Sequence, residues 1–372
     1  MTGSLRDVLS SACALLDVPG TVDRLGLAER LGDVRRIAVL LVDGMGYHLL
    51  PEAGRSAPIL AEALAGRAGV LTELACAFPS TTPTSLVTLG TGALPGEHGV
   101  LGFTVNVPGT DRVLSHISWR DDPPPHEWQP VPSLLSRASA AGVRTAVVSR
   151  PEFVGSGLTV AAYGEPRYVG AARSAELAAG ILTELAAGPG LVYGYHPTLD
   201  SVSHAHGIAT PQWQRAAGSV DRLISRVVAG LPDDAALLVT ADHGALDVPP
   251  SARIDLADDP RLAEGVRVVA GEPRVRYLHT RDGAAADVAD AWRGVLGERA
   301  TVLLRAEAVS RGLFGAVPAE HLARIGDVVV VCEGDTVVIA RGYEPDLVGT
   351  LVAYHGSWTP VETAIPLLSF RG

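Results

Sequence analysis

Short apolar runs rich in β-branched residues alternate along this chain with longer stretches rich in alanine and leucine, and this alternation restricts the possible folds. The predicted strands are Arg36–Val42, Arg144–Val148, Gly190–Tyr195 and Ala236–Thr240. The predicted amphipathic helices are Ala57–Ala65, Pro132–Ala141, Ala172–Ala186 and Pro211–Val228. Strand and helix in alternation predict an α/β fold, with a doubly wound, mostly parallel sheet and helices on both of its faces.

The pattern changes between residues 253 and 341. Strand-like or helical segments there are Arg274–His279, Ala284–Val295, Thr301–Leu304 and a hairpin of Val328–Cys332 with Thr336–Ala340. We therefore expect residues 253–341 to form a small α+β insertion or cap. Residues 1–252 and 342–372 are then expected to form the main core of the fold.

The composition is that of a large globular protein with an acidic surface. The chain has 372 residues, of which 47% are hydrophobic and 19% are charged, so it can bury a large core. The formal net charge is -11, and all 30 basic residues are arginine. A nucleic-acid polymer is not expected as a partner, because such binding requires a basic surface.

The cysteine content and the N-terminal sequence bear on the expected cellular location of the protein. Cys13, Cys76 and Cys332 are few and far apart, which fits neither a disulfide framework nor a cysteine-based zinc site. Residues 1–20 lack the basic and apolar regions of a signal peptide, and no apolar run is long enough to span a membrane. We expect a cytoplasmic protein without a membrane partner.

Five short motifs contain candidate metal ligands. They are V-D-G-M-G, F-P-S-T-T-P, D-x-x-x-H, T-A-D-H-G and Y-H-G. The candidate ligands are Asp43, Thr82, Asp200, His204, Asp242, His243 and His355. Carboxylate, imidazole and hydroxyl groups in this mixture suit a pair of zinc ions, because Zn²⁺ accepts both nitrogen and oxygen ligands.

The spacing of these residues is compatible with shared ions. Asp200 and His204 are four residues apart, which places them on one face if the segment is helical. Asp242 and His243 are adjacent, so they can bind one ion only in irregular backbone, and Gly244 is consistent with a turn there. Asp43 and Asp242 directly follow predicted strands, where ligands bind in parallel sheets.

Taken together, the motifs resemble those of the type I phosphodiesterase/nucleotide pyrophosphatase family of the alkaline phosphatase superfamily. The resemblance rests on the segments Phe78–Pro83, Thr91–Gly99, Asp43–Met45, Asp200–Gly207, Asp242–Gly244 and His355–Gly356, in the family's order. It implies an alkaline phosphatase-like fold with two zinc ions and a small-molecule phosphoester substrate. One ion would be bound by Asp200, His204 and His355, and the other by Asp43, Thr82, Asp242 and His243.

The same resemblance selects Thr82, rather than Thr81, as the nucleophile that forms a covalent phosphothreonine. A departure from the family pattern lies three residues later, where the nucleotide-cleaving members carry an asparagine that contacts the phosphoryl group. Ser85 occupies this position and is the candidate substrate-binding residue. Its hydroxyl is shorter and a single donor, so the usual contact is either lost or made through water, and the specificity for nucleotides is open.

Three functions are compatible with these residues. The first is a zinc-dependent phosphodiesterase or pyrophosphatase, the second a phosphomonoesterase or phosphonate hydrolase on the same two-zinc core, and the third a non-catalytic metal-stabilised binding protein. Trp119 and Trp128 are candidate apolar walls for the second substituent of a diester. A monoester would require an extra cation, for which Arg112, Arg120 and Arg150 are the candidates.

Overall fold

The computed structural model describes residues 3–372, and residues 1 and 2 of the predicted core lie outside the described part. The strands are β1 Arg36–Val42, β2 Val70–Ala75, β3 Thr104–Asn106, β4 Val113–Ser115, β5 Thr145–Ser149, β6 Arg167–Gly170, β7 Gly190–His196, β8 Ala235–Thr240, β9 Leu246–Asp247, β10 Arg253–Asp255, β11 Val266–Glu272, β12 Val275–Thr280, β13 Ala300–Leu304, β14 Val328–Cys332, β15 Val337–Ile339, β16 Ala353–Tyr354 and β17 Ala364–Arg371.

The α-helices connect and cover these strands. They are α1 Leu5–Leu15, α2 Leu27–Leu31, α3 Leu50–Ala53, α4 Pro58–Leu64, α5 Thr82–Thr91, α6 Pro95–His98, α7 Pro125–Trp128, α8 Leu134–Ala140, α9 Gly157–Tyr163, α10 Ser174–Ala186, α11 Thr198–His206, α12 Pro211–Ala229, α13 Ala285–Leu296, α14 Arg305–Ser310, α15 Ala319–Leu322 and α16 Pro360–Thr363. Short 3₁₀ turns are Tyr47–Leu49, Pro151–Phe153, Pro250–Ala252, Leu256–Asp258, Pro260–Leu262, Gly297–Arg299 and Asp346–Thr350. No helix within residues 3–372 is both long enough and apolar enough to cross a bilayer.

A seven-stranded sheet forms the centre of the molecule, in the order β2-β17-β8-β1-β7-β5-β6. Only β17 runs antiparallel to its neighbours, β8 and β2, and the other strands are parallel. Strand β1 lies between β8 and β7, and its residues Ile37–Val42 are fully buried because both faces of the sheet are covered. The mostly parallel α/β fold predicted from the sequence is confirmed.

Helices lie on both faces of this sheet, as the side chains of β7 show. The ring of Tyr193 lies 4.3 Å from the ring of Tyr163 in α9, whereas Gly194 faces Ile181 in α10. Because neighbouring residues of a strand point to opposite faces, α9 and α10 cover opposite sides. The four helices predicted from the sequence are present, with ends within about two residues of the expected ones.

Residues 253–341 contain a second sheet, with the antiparallel order β11-β12-β14-β13. The two faces of this sheet pack into different hydrophobic cores, as the alternating side chains of β14 show. Val329 and Val331 belong to the main core, while Val328 and Val330 pack in a smaller core with Trp292 of α13. The division into a core and an insertion stays a prediction, and the sheet shows how closely the two parts are packed.

The hairpin predicted at residues 328–340 is wrong. Strand β14 pairs with β12 and β13, whereas β15 pairs with β10 in parallel. The guanidinium of Arg276 donates two hydrogen bonds to the Val338 carbonyl, so β15 is bonded to a side chain of the sheet. Turn-forming residues between the two apolar runs indicated that the chain reverses there. Each run instead pairs with a strand that is more distant in the sequence.

Candidate active site

The predicted ligands meet at the carboxyl edge of the central sheet. Asp43 directly follows β1, Asp242 and His243 follow β8, and Asp200 lies in α11 just after β7. Because β8, β1 and β7 are parallel neighbours, their carboxyl ends share one edge. His355 reaches the same edge directly after β16.

Glycines allow these segments to approach one another. Gly44 has φ 72°, and a Cβ atom there would lie 2.9 Å from the Cβ atom of Asp200. A Cβ atom on Gly46 would lie 2.5 Å from the Cα atom of Gly244. Side chains at these glycines would therefore force the ligand segments apart.

Thr82 is the first residue of α5, and its hydroxyl faces the ligands. The Oγ1 atom lies 3.1 Å from Nε2 of His243. Thr82 is partly exposed, whereas the side chain of Thr81 is fully buried. The first N–H groups of a helix lack intrahelical acceptors and favour anions, so α5 presents an end suited to a phosphoryl group beside Thr82.

Two compact groups of ligand atoms share His243, the imidazole that this hydroxyl contacts. The first contains Asp43, Asp242 and His243, and the second contains Asp200, His243 and His355, with the atoms of each group within 4.8 Å of one another. The Nε2 atom of His243 lies 3.5 Å from Asp43 and 3.4 Å from Asp242, so this imidazole stands between the two groups.

His204 lies beside the second group rather than within it. Its Nε2 atom is 3.2 Å from Oδ2 of Asp200, and its ring centroid is 5.2 Å from that of His355. The helical spacing expected for Asp200 and His204 is thus present in α11.

Backbone carbonyls fix the orientation of all three imidazoles. The Nδ1 atom of His204 lies 2.7 Å from the Ala353 oxygen, and that of His355 lies 2.9 Å from the Ser80 oxygen. In His243 the same atom lies 3.0 Å from the oxygen of the next residue, Gly244. Because a carbonyl oxygen can only accept a hydrogen bond, the neutral rings carry their hydrogen on Nδ1 and present the Nε2 lone pair to the site.

Each aspartate is held through one oxygen. Oδ1 of Asp242 accepts hydrogen bonds from the backbone N–H groups of Gly44 and His243, at 3.0 and 3.1 Å. The opposite oxygens, Oδ2 of Asp242 and Oδ1 of both Asp43 and Asp200, are buried and have no hydrogen-bond partner within residues 3–372. Buried carboxylate oxygens normally have a partner, so this arrangement fits cations bound between them and the Nε2 atoms.

The charges at the site shift several pKa values. Burial, with the negative charges of Asp242 and Asp200, raises the pKa of Asp43 well above its usual range. Burial opposes ionisation of Asp200 and His204 alike, but their mutual attraction is decisive. It lowers the pKa of Asp200 and raises that of His204 to about 9. Burial and the neighbouring His243 lower the pKa of His355 well below its usual range.

Ser80 was not predicted from the sequence, although it connects the nucleophile segment with the last ligand. Its hydroxyl donates to the Ser357 carbonyl at 2.6 Å and accepts from the Gly356 N–H at 3.1 Å. Its backbone N–H donates to the Gly356 carbonyl at 2.9 Å, while its own carbonyl binds Nδ1 of His355. Ser80 therefore fixes the spacing between Thr82 and His355.

A buried ion pair holds the turn that follows His355, next to the contacts of Ser80. Arg274 binds both carboxylate oxygens of Glu362, at 2.9 and 2.7 Å, and both side chains are fully buried. The same carboxylate accepts from the Ser357 N–H at 3.0 Å, and the Glu362 carbonyl accepts from the Gly244 N–H at 2.8 Å. Residues of three distant segments are thus joined, which no local sequence pattern indicates.

Glu272, at the end of β11, is a further buried carboxyl near the site. A Cβ atom on Gly356 would lie 2.8 Å from its carboxyl carbon, so the side chain lies against the turn that follows His355. Burial raises the pKa of Glu272 to about 8, although the hydroxyl of Thr81 and the charge of Arg276 oppose the shift. The predicted insertion therefore contributes a side chain to the rear of the site.

Other predicted residues are placed less favourably for binding substrate. The Ser85 hydroxyl is fully buried and donates to the Asp242 carbonyl at 2.8 Å, so its role in substrate binding stays a prediction.

Trp119 and Trp128 are only 2% and 5% exposed, and they pack on each other and on His116. The expectation that these tryptophans wall an open pocket is wrong, because they belong to the core.

The candidate arginines differ in their distance from the ligands. Arg112 pairs with the exposed Asp122, and Arg120 is exposed. The guanidinium of Arg150 lies 3.5 Å from the hydroxyl of Thr198, the first residue of α11. Arg150 is therefore the one of these three that contacts a ligand-bearing element.

Solved structures share this fold. Murine ectonucleotide pyrophosphatase/phosphodiesterase 5, as an inactive variant in complex with AMP, is 18% identical with a TM-score of 0.71, over 90% of this chain and 88% of that chain. The human protein is 16% identical with a TM-score of 0.70 and the same coverage. Phosphonoacetate hydrolase from Sinorhizobium meliloti, in complex with phosphonoacetate, is 19% identical with a TM-score of 0.68, over 92% of this chain and 91% of that chain.

The family follows from a match over most of the sequence. The model of the type I phosphodiesterase/nucleotide pyrophosphatase family matches residues 37–358, which include all the predicted ligands. The resemblance inferred from the motifs is confirmed, and the protein is a hydrolase acting on phosphoric ester or anhydride bonds. The chain belongs to the type I phosphodiesterase/nucleotide pyrophosphatase family.

Proposed function

We propose that the protein is a zinc-dependent hydrolase that cleaves phosphodiester or pyrophosphate bonds in small molecules through a covalent phosphothreonine on Thr82. The observation that carries this proposal is a pair of ligand groups with buried carboxylate oxygens, unpartnered within the described chain. Both groups include His243, whose Nε2 atom lies 3.1 Å from the Thr82 hydroxyl. A non-catalytic binding protein would not need a hydroxyl at this place.

Two zinc ions fit the donor set of carboxylate oxygens and imidazole nitrogens. Asp200, His204 and His355 would hold one ion, and Asp43, Thr82, Asp242 and His243 the other. When bound, the ions would supply positive charge that favours the alkoxide form of Thr82 and stabilises the transition state.

The reaction has two steps at the same hydroxyl. The Thr82 oxygen forms a bond to phosphorus, and the bond from phosphorus to the leaving oxygen breaks; the leaving group takes up a proton. Water then attacks the phosphothreonine, and the Thr82 oxygen is released with the phosphoryl group transferred to water. The first N–H groups of α5 orient the phosphoryl oxygens, while Ser80 fixes the position of the attacking segment.

Phosphonate hydrolysis is the second candidate function. A solved structure with the same fold is a phosphonoacetate hydrolase, and Ser85 replaces the asparagine typical of the nucleotide-cleaving members. The cytoplasmic location stays a prediction.

A substrate panel on metal-depleted protein tests the proposal. The substrates are bis(4-nitrophenyl) phosphate, 4-nitrophenyl phosphate, a dinucleotide pyrophosphate and phosphonoacetate, each with and without added Zn²⁺. We expect turnover of the diester or the pyrophosphate to require zinc, with two ions per chain at full activity. Full activity of the metal-depleted protein, or at one ion per chain, would contradict the proposal, and preference for phosphonoacetate would favour the second candidate.

A further inference from the structure

Tyr195 has no role in the mechanism described above, yet its hydroxyl reaches a proposed ligand. The residue lies near the carboxyl end of β7, and its phenol donates a hydrogen bond to Oδ2 of Asp43. A neutral phenol carries one O–H donor, so this contact occupies Oδ2 of Asp43.

The register of the central sheet explains this contact. Strands β1 and β7 are parallel, and Tyr195 is the partner of Leu41. Asp43 lies two residues beyond Leu41 and therefore points to the same face, diagonally across from Tyr195. The ring of Phe153 packs edge-on against the tyrosine ring at 5.9 Å, which restricts its orientation.

The hydrogen bond makes the two oxygens of Asp43 unequal. Oδ2 is occupied by the phenol, whereas Oδ1 lies 3.5 Å from Nε2 of His243 and has no hydrogen-bond partner in the described part of the chain. Asp242 shows the same division, with backbone N–H groups on one oxygen only. The Tyr195 phenol thus occupies one oxygen of Asp43, just as backbone N–H groups occupy one oxygen of Asp242.

We propose that Tyr195 is a positioning residue of the metal centre, which presents Asp43 to the ion through Oδ1 alone. This inference rests on the proposed function, since it requires that Asp43 is a ligand. Loss of such an outer partner typically weakens metal binding about 10- to 100-fold. The ion held by Asp43, Asp242 and His243 should be affected, and the other ion should not.

The test compares Tyr195→Phe with Tyr193→Phe, which removes a phenol from the same face of the same strand. Zinc affinities of the metal-depleted full-length proteins are measured by competition with a chelating dye, and folding is checked by thermal unfolding. We expect Tyr195→Phe to bind one of its two ions about 10- to 100-fold more weakly and Tyr193→Phe to resemble the wild type. Activity of Tyr195→Phe should recover when zinc is in excess.

A double variant separates positioning from general destabilisation. Adding Tyr195→Phe to Asp43→Ala should not weaken zinc binding further, because the acceptor of the phenol is already absent. Wild-type affinity for both ions in Tyr195→Phe, or additive losses in the double variant, would overturn the inference and leave the proposed function intact. Absence of zinc binding by the wild type would overturn both.

Discussion

At the scale of single residues, the site is built from side chains that each have one polar atom occupied and one available. The Nδ1 atoms of His204, His243 and His355 bind backbone carbonyls. One oxygen of Asp43 and one of Asp242 accept from protein donors outside the ligand set, whereas Oδ2 of Asp200 pairs with His204. A buried carboxylate or imidazole would rotate toward any available partner, so the fixed atoms determine where the other atoms point. The geometry suited to cations is thus set by the protein itself.

Ser80→Ala tests how strongly one such contact contributes. The substitution removes the bond to the Ser357 carbonyl and leaves the buried Gly356 N–H without its acceptor. We expect a loss of about 1–3 kcal/mol in the free energy of unfolding and weaker zinc binding at His355. Denaturant unfolding and dye competition measure the two effects.

The control is Ser369→Ala, because Ser369 is equally buried but its hydroxyl contacts Val70 at the distant edge strand. This variant should bind zinc like the wild type. If both serine variants weaken zinc binding to the same extent, the specific role assigned to Ser80 is wrong.

Zinc binding should release protons near neutral pH. In the metal-free protein the pKa of His204 is raised to about 9, so this imidazole is charged at pH 7 and must lose its proton to become a ligand. Apparent affinity should therefore rise with pH up to about 9, by roughly tenfold per unit for one proton, and then level off. The pKa of Asp43 is also raised, so at pH values below that pKa this carboxyl must lose a proton as well when zinc binds.

Calorimetry in two buffers of different ionisation enthalpy measures the number of protons released. At least one proton per loaded chain is expected at pH 7, and His204→Ala should release about one fewer. Equal proton release by the wild type and His204→Ala would contradict the assignment of this proton.

At the scale of elements, the second sheet is joined to the candidate active site by buried polar contacts. Arg274 connects β11 and β12 to Glu362, whose carboxylate also binds the turn that follows His355. The hydroxyl of Ser357 donates to the Cys332 carbonyl at the end of β14, at 2.7 Å. Residues 253–341 are therefore part of the support of the site and not only a cover.

Arg274→Met should be strongly destabilising, because it leaves the charge of Glu362 buried without its partner. Removal of one member of a buried pair typically costs about 3–5 kcal/mol, whereas adding Glu362→Gln should restore part of the loss. Arg305→Met is the control, since its pair with Asp327 is partly exposed and should contribute about 1 kcal/mol or less. Comparable losses in the free energy of unfolding for the two single variants would refute this difference.

The elements also show how far the sequence predicts this structure. Strand β1 was predicted with its observed ends, because a buried central strand of a parallel sheet is a continuous apolar run. Strand β2 was not predicted, since it lies at the sheet edge and is largely exposed. The candidate ligands could be found because their residue types restrict the chemistry, whereas Ser80, Tyr195 and Glu362 are common residues whose contacts exist only after folding.

At the scale of the whole molecule, the charge distribution favours a substrate with a single negative charge at phosphorus. The net charge is -11, and Arg274 and Arg276, which follow Glu272 in the sequence, are already paired with Glu362 and Glu344. A monoester would need a further cation for its second charge. Arg150, beside Thr198, is partly exposed and is the best placed candidate among the three predicted arginines.

We therefore expect a higher kcat/KM for bis(4-nitrophenyl) phosphate than for 4-nitrophenyl phosphate at equal zinc loading. Arg150→Ala should lower the residual activity on the monoester more than the activity on the diester, since the monoester has the extra charge. A clear preference of the wild type for the monoester would contradict this expectation.

The most direct test of the account is to identify the residue that becomes phosphorylated during turnover. The zinc-loaded protein is mixed with a reactive diester, quenched in acid within the first turnover, digested and examined by mass spectrometry. We predict a phosphoryl adduct on Thr82, its absence in Thr82→Ala, and a loss of activity of several orders of magnitude in that variant, as for the nucleophile of a serine protease (~10⁶-fold). Thr81→Ala should retain the adduct; an adduct on Thr81, or turnover by Thr82→Ala at a rate near that of the wild type, would contradict the proposed mechanism.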